Sequence, residues 1–112
     1  MDLNIAKHQN DQEILMHVQG EIDAYTAPKL REELLLLAKG GNKTIIVNLK
    51  DVTYLDSTGL GVFVGLFKEL SKRNGELKLV QLSNRLHRLF EITGLSNIMN
   101  ISANSEVEDG EN

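Results

Sequence analysis

The chain has 112 residues, of which 41% are hydrophobic and 25% charged, a composition typical of one soluble domain that buries a core. It contains no cysteine and no apolar run near the roughly 20 residues that cross a bilayer, and no basic and apolar leader follows Met1. We therefore expect a cytoplasmic protein that neither enters a membrane nor depends on disulfide bonds.

The negative charge is concentrated in residues 104–112. This stretch holds four acidic residues and no basic one, while the other 12 acidic residues of the chain match its 12 lysines and arginines. A neutral body argues against direct binding of nucleic acid, because phosphate contacts require a basic face. We predict one domain over residues 1–103 and an acidic, disordered C-terminal tail over residues 104–112.

The beginning of the chain predicts two strands, a loop and a helix. Apolar and polar residues alternate over residues 2–5 and 14–19, and the polar stretch between them predicts a tight connection and an antiparallel pair. Residues 20–25 follow as a loop. Thr26 is expected to cap the first helix, which ends at Gly40-Gly41.

The middle of the chain predicts a strand, a loop and a second helix. A β-branched run over residues 44–49 is typical of a central strand that is covered on both faces. A loop over residues 50–56 follows it. Ser57 is expected to be the N-cap of the second helix, which ends at Asn74-Gly75.

The last third of the chain repeats the alternation. Residues 77–82 predict a strand, Ser83 and Gly94 bound a third helix, and residues 98–101 predict a short final strand. The order is therefore β-β-α-β-α-β-α with one more strand at the end. This order predicts an α/β fold, a mixed, mostly parallel sheet of four to five strands with helices packed against it.

The segment over residues 54–61 lies where a strand passes into a helix, which is where open α/β sheets tend to bind partners. As an N-cap, Ser57 would lie at the surface at the positive end of a helix dipole, where the fold tolerates a phosphate. Asp56 beside it would add negative charge, so a partner that buries this patch would be expelled by phosphorylation. From the residues alone, Ser57 is also compatible with a role as a cap only.

Three neighbours of Ser57 have expectations of their own. Gly59 and Gly61 lower the intrinsic stability of the first helical turn. We expect both glycines to leave the backbone uncovered, so that a partner can approach closely. Thr58 carries a second hydroxyl, which is expected to be less accessible inside the first turn.

The same segment does not match the common catalytic patterns. The glycines at 59, 61 and 65 follow a loop rather than a strand, and no acidic residue ends the next strand, unlike a dinucleotide fingerprint. Ser57 lies in Asp-Ser-Thr and not in G-x-S-x-G, and the histidines at 8, 17 and 87 are each isolated. No set of His, Asp and Glu has the spacing of metal ligands. We therefore predict no enzymatic activity, no cofactor and no metal.

Two motifs resemble those of the bacterial anti-sigma factor antagonists, which are STAS-domain proteins. They are Gly-Glu-Ile-Asp at 20–23, with Thr-Ala-Pro at 26–28, and Leu-Asp-Ser-Thr-Gly-Leu-Gly at 55–61. The resemblance extends over nearly the whole chain. In residues 51–65 and 88–95 it is most similar to the RsbV type of the general stress response, with the sporulation antagonist as a near relative.

The resemblance implies a phosphorylation switch. The unphosphorylated protein would bind an anti-sigma factor that is also a serine kinase, of the RsbW type, and so release a sigma factor, sigma-B by analogy. The kinase would phosphorylate Ser57 with ATP, and a PP2C-type phosphatase would remove the phosphate. The residues that the resemblance implies in partner contact are Glu21, Asp23, Tyr25, Asp56, Thr58, Gly59, Leu60 and Gly61.

Other interpretations stay open on the sequence. From the residues alone, Glu21 and Asp23 are also compatible with a solvated turn, and Tyr25 with the edge of the core. A different function within the same fold is a scaffold subunit of a stressosome or of a lipid-transport complex, without a reversible kinase partner. A serine-dependent enzyme is the third class, and the isolated histidines argue against it.

Overall fold

The five strands of the sheet lie side by side in the order in which they occur in the chain. The computed structural model describes residues 3–40 and 42–103. Their elements are β1 (Leu3–Gln9), β2 (Glu13–Ile22), α1 (Ala27–Ala38), β3 (Thr44–Leu55), α2 (Ser57–Lys72), β4 (Glu76–Leu82), α3 (Asn84–Ile92), a short 3-10 helix (Leu95–Asn97) and β5 (Asn100–Ala103). The first pair of strands is antiparallel and the others are parallel, which confirms the predicted α/β fold.

The opening hairpin has the predicted pairing. Ile5 lies opposite Val18 in an antiparallel register that runs the length of β1. The turn between the strands is held by Asn10, whose side-chain oxygen accepts hydrogen bonds from the amides of Gln12 at 2.9 Å and Glu13 at 2.8 Å. This Asx-type turn fixes the register of the pair, because the connection between the strands is short and held by these hydrogen bonds.

The two central strands are longer than the sequence predicts. β2 continues to Ile22 and β3 to Leu55, so most of the predicted loop over residues 50–56 is strand. Ile22 pairs with Leu55. The β2–β3 register shifts at two places before this pair, between His17 and Gln19 and between Gly20 and Glu21. Gly20 has a φ of 119°, which suits an irregularity of this kind. The extension brings the loops that follow β2 and β3 to the same edge of the sheet.

The core lies between one face of the sheet and the helices. In β3, Ile45, Val47 and Leu49 are fully buried, whereas the alternate residue Ile46 is only half-buried. On the same open face Leu15 of β2 is 44% exposed. The prediction that β3 is covered on both faces is therefore wrong. The next two alternate residues of β3, Asn48 and Lys50, are polar, and such positions need no cover.

The ends of the later elements agree with the expected signals. The Ser83 hydroxyl accepts a hydrogen bond from the Leu86 amide at 3.3 Å at the start of α3, and Gly94 beyond its end has a φ of 79°. Within the described ranges, no helix has both the length and the apolar character needed to cross a membrane. Residues 104–112 lie outside the described part, so the boundary at residue 103 and the disordered tail stay predictions.

Candidate functional site

The N-cap of α2 is Asp56 and not Ser57. The Asp56 side chain accepts a hydrogen bond from the Gly59 amide at 3.0 Å, while its extended backbone joins the end of β3. Ser57 is the first residue inside the helix. Because β3 runs on to Leu55, the residue between strand and helix is Asp56, and its carboxylate satisfies one of the free amides of the first turn. The prediction that Ser57 caps this helix is therefore wrong.

The Ser57 hydroxyl therefore does not cap the helix. Ser57 is exposed, and its hydroxyl has no hydrogen-bond partner in the described part of the chain. Thr58 is also exposed, although it lies inside the first turn. Both hydroxyls lie in the first turn, where backbone amides have no partner within the helix and the dipole favours negative charge.

The two glycines of the first turns differ in their surroundings. Gly59 is buried, and a β-carbon added to it would lie 2.5 Å from Leu55 Cδ1 and 2.6 Å from Ile22 Cγ2. Gly61 is exposed, and nothing lies within 4 Å of a β-carbon there. Gly59 therefore lets α2 approach the ends of β2 and β3, and only Gly61 leaves backbone uncovered as expected. Leu60, between them, is half-buried and packs against the core.

The loop after β2 is organised around the carboxylate of Asp23. Asp23 is 7% exposed, and its Oδ1 accepts hydrogen bonds from the amides of Tyr25 at 2.9 Å and Thr26 at 3.0 Å. The Thr26 hydroxyl accepts from the Asp23 amide at 2.9 Å and donates to the Glu21 carbonyl at 2.8 Å. Thr26 is the N-cap residue of α1, as expected, but its side chain makes no capping hydrogen bond. Asp23 thus shapes the loop through hydrogen bonds to its Oδ1.

The hydrogen bonds of this loop shift the ionisation of Asp23. Burial disfavours the charged carboxylate, but hydrogen bonds from the amides of Thr26 and Tyr25, with the Thr26 hydroxyl 3.3 Å away, outweigh it. Together they hold the pKa of the Asp23 carboxyl below its ordinary value of 3.8. A carboxyl with a lowered pKa in the folded state stabilises the fold above its unfolded pKa, and this contribution is lost as the pH falls through the folded pKa.

Asp23→Asn is therefore expected to flatten the acid side of the stability profile. Asparagine keeps an oxygen that accepts from the two amides but cannot ionise, so the variant should be less stable than the parent at pH 7. The gap should narrow as the pH falls from about 5 towards 2. Urea unfolding of both proteins across this pH range measures the difference in stability. The pKa of Glu69 is also lowered, by Arg73, but Glu69 is present in both proteins and its contribution cancels in the difference. A gap that stays constant with pH would contradict the assignment.

A shallow depression lies between the two loops at this edge of the sheet. It has a volume of about 370 Å³ and is lined by Glu21, Asp23, Ala24, Tyr25, Tyr54 and Asp56. Tyr25 is 85% exposed and Tyr54 is 48% exposed, so two aromatic rings face solvent beside the half-buried Glu21 and Asp56. The structure thus brings the predicted loop residues beside Asp56. Tyr54 was missed as a site residue, although it adjoins the motif, because its exposure depends on the extension of β3.

A second groove lies on the other side of Ser57, between α1 and α2. It is lined by Ala27, Pro28, Arg31, Thr58, Gly61 and Val62. Arg31 places a cation there, opposite in charge to the carboxylates of the first depression. No histidine is among the described residues that line these two cavities. The arrangement is suited to binding a protein surface around an exposed hydroxyl.

The family of the chain follows from comparison with known proteins. The model of a family described as the STAS domain matches residues 4–107. The chain therefore belongs to the STAS-domain family, a class that agrees with its sheet order and with the motifs on its two loops.

Two relatives with similar sequences make the class more specific. The chain is 55% identical over 106 residues to the anti-sigma-B factor antagonist of Bacillus subtilis, a match that covers 95% of this chain and 96% of the relative. It is 45% identical over 108 residues to the anti-sigma-B factor antagonist of Staphylococcus aureus, covering 96% and 100%. The structure of the Bacillus cell fate determinant SpoIIAA in the phosphorylated form has the same fold, with a TM-score of 0.71, 22% identity and coverage of 97% and 100%.

Proposed function

We propose that the chain is an anti-sigma factor antagonist that activates an alternative sigma factor, sigma-B, by binding its inhibitor. Its unphosphorylated form binds an anti-sigma factor that is also a serine kinase of the RsbW type, and the sigma factor is released. The kinase transfers the γ-phosphate of ATP to the Ser57 oxygen and ends the binding. A PP2C-type phosphatase restores it. The two relatives named as anti-sigma-B factor antagonists support this assignment.

The observation that carries the proposal is the exposed, unengaged hydroxyl of Ser57. Asp56 performs the capping, so the fold does not use the Ser57 oxygen, and a kinase can modify it without removing a stabilising bond. A phosphate there would also meet the amides and the dipole of the α2 N-terminus. Phosphorylation is therefore compatible with the folded state, which a switch requires.

The same position explains how phosphate would end binding. A phosphoserine carries about −1.5 to −2 charges at pH 7, and it would lie beside the Asp56 carboxylate and near the acidic depression. A partner that covers Ser57 would have to bury this charge, and an uncompensated buried charge is costly. The phosphate thus acts on the interface and not on the fold.

The proposed partner surface includes the residues on both sides of Ser57. Tyr25 and Tyr54 offer exposed aromatic area of the kind that anchors interfaces, and the carboxylate of Glu21 lies beside them. Thr58 and Gly61 continue the surface into the Arg31 groove. Asp23 and Gly59 contribute indirectly, through the shape of their loop and the seating of α2.

The proposal makes the chain a substrate and a ligand, and not an enzyme. Its relatives are regulatory proteins by name, and no histidine lies in the cavities beside Ser57. The proposed reaction needs no cofactor on this chain, because ATP is bound by the kinase. We propose that the chain works in the cytoplasm, together with the kinase, the phosphatase and the sigma factor.

The proposal is tested by displacement of the sigma factor. Unphosphorylated chain added to the complex of its cell's anti-sigma factor and sigma factor is expected to release the sigma factor, as seen by size-exclusion chromatography. Tyr54→Ala is expected to weaken this activity by about tenfold or more, since aromatic residues that anchor an interface typically contribute about 2 kcal/mol or more. Leu36→Ala, at a residue that is 57% exposed near the end of α1, is the matched control. No release by the parent chain would favour a scaffold role in a stressosome or a lipid-transport complex.

A further inference from the structure

A third cavity lies at the same edge of the sheet, on the far side of β3 from the acidic depression. This groove has a volume of about 260 Å³ and is lined by the end of β3, from Val52 to Leu55, and by Ser83 and one side of α3. It exists because the pairing of β3 with β4 stops at Asn48 and Val80, so that the last residues of β3 separate from β4. Of the residues that line it, the function proposed above uses only Tyr54.

The groove combines an apolar floor with two cations. Leu89 and Ile92 of α3 line it, and Ile92 is 75% exposed, an unusual position for a large apolar side chain. Arg85 and Arg88 also line it and are exposed. Neither guanidinium has an ion pair or hydrogen bond in the described part of the chain. The groove therefore fits a short segment that carries acidic groups around an apolar side chain.

The chain supplies such a segment itself. Residues 104–112 contain Glu106-Val107-Glu108-Asp109 followed by Glu111, with one apolar side chain among four acidic ones and no cation. The rest of the chain has equal numbers of acidic and basic residues, so the excess negative charge lies in this segment, and it is opposite in sign to the two arginines of the groove.

The end of β5 lies close to the groove, so the segment that follows it begins nearby. β5 is parallel to β4, and its last residue, Ala103, pairs with Leu82, which directly precedes Ser83 in the groove wall. Neighbouring strands lie about 4.8 Å apart, so residue 104 starts close to the groove. Nine residues span at most about 30 Å when extended, whereas the nine residues of α3 are about 14 Å long. The segment can reach the whole groove.

We propose that residues 104–112 bind in this groove of their own chain, with Val107 on the apolar floor and the flanking carboxylates at Arg85 and Arg88. The bound segment covers Ile92 and lies beside Tyr54, which lines both this groove and the acidic depression. It therefore adds negative charge next to the Ser57 surface. The proposal does not depend on phosphorylation or on the identity of the partner.

Paramagnetic labelling of the full chain tests this directly. The sequence has no cysteine, so Gly110→Cys gives a unique attachment point for a nitroxide. The amide signals of residues 85–92 and of Thr53 and Tyr54 are expected to lose intensity relative to the reduced label. The loss should disappear in 1 M NaCl, where the Debye length is about 3 Å.

Variants of the cations separate docking from chance proximity. Arg85→Gln with Arg88→Gln should abolish the signal loss, while Lys39→Gln with Lys72→Gln, at exposed lysines at the far ends of α1 and α2, should leave it unchanged. Unchanged amide spectra elsewhere show that each variant is folded. The proposal is overturned by the absence of signal loss at residues 85–92, by loss that survives the arginine variants, or by loss that appears only between molecules in a mixture of labelled and isotope-enriched chains.

Discussion

Ser57→Asp is expected to weaken binding to the anti-sigma kinase by about 100-fold or more while the protein stays folded. In the complex the new carboxylate would be buried beside Asp56 without a partner cation, and an uncompensated buried charge typically costs 3–5 kcal/mol, or about 100-fold and more in affinity. In the free protein the same carboxylate faces solvent at the positive end of α2, so the free energy of unfolding should change by less than about 1 kcal/mol. Calorimetric titration with the kinase and urea unfolding measure the two quantities.

Ser57→Ala is the matched control for this variant. Because Asp56 and not Ser57 caps α2, the alanine variant should be as stable as the parent within about 0.5 kcal/mol. It should bind the kinase and stay active in the presence of ATP, since no hydroxyl remains to be modified. Tight binding by folded Ser57→Asp, or loss of binding by Ser57→Ala, would contradict the proposed mechanism.

Gly59→Ala is expected to destabilise the fold by about 1–3 kcal/mol, although alanine is the better helix former. The added β-carbon would lie 2.5 Å from Leu55 Cδ1, 2.6 Å from Ile22 Cγ2 and 3.1 Å from the Ile22 carbonyl oxygen. The backbone oxygen cannot move without breaking its bond from the Asp56 amide, so α2 has to shift away from the sheet. The midpoint of urea unfolding should therefore fall.

Gly61→Ala, two residues further along the same helix, is the control for Gly59→Ala. Nothing lies within 4 Å of a β-carbon at this position, so the change should stabilise the free protein by up to about 1 kcal/mol through helix propensity. Equal stability of Gly59→Ala and the parent would show that α2 does not pack against Ile22 and Leu55 as described. The pair thus separates a glycine that the fold requires from one that it does not.

The sequence predicted which elements exist because their apolar periodicity is set by the core. Met16 and Val18 alternate in β2, and Leu30 and Leu34 recur on one side of α1, and the structure buries all four. The parallel arrangement followed from the alternation of strands and helices. These features depend on hydrophobic burial, which a sequence displays directly.

The ends of β2 and β3 could not be predicted from the sequence. The wrong choice of Ser57 as the N-cap of α2 follows from the unpredicted end of β3. Residues 50–53 are largely polar, and they are strand because their backbone pairs with β2 across an irregular register. That extension places Asp56 at the junction with α2. Asp and Ser are both good N-caps, so the choice between them depends on where β3 ends. The exposure of Tyr54 and the burial of Gly59 are likewise consequences of tertiary packing.

The measurement that tests the central claim most directly is to map phosphate on the chain after incubation with the anti-sigma kinase of its own cell and ATP. A single phosphate on Ser57, found by mass spectrometry together with dissociation of the kinase complex, is the predicted result. Thr58 is also exposed and one residue away, so peptide fragmentation must separate the two positions. A phosphate on Thr58 alone, no phosphate, or a complex that persists after Ser57 is modified would contradict the account.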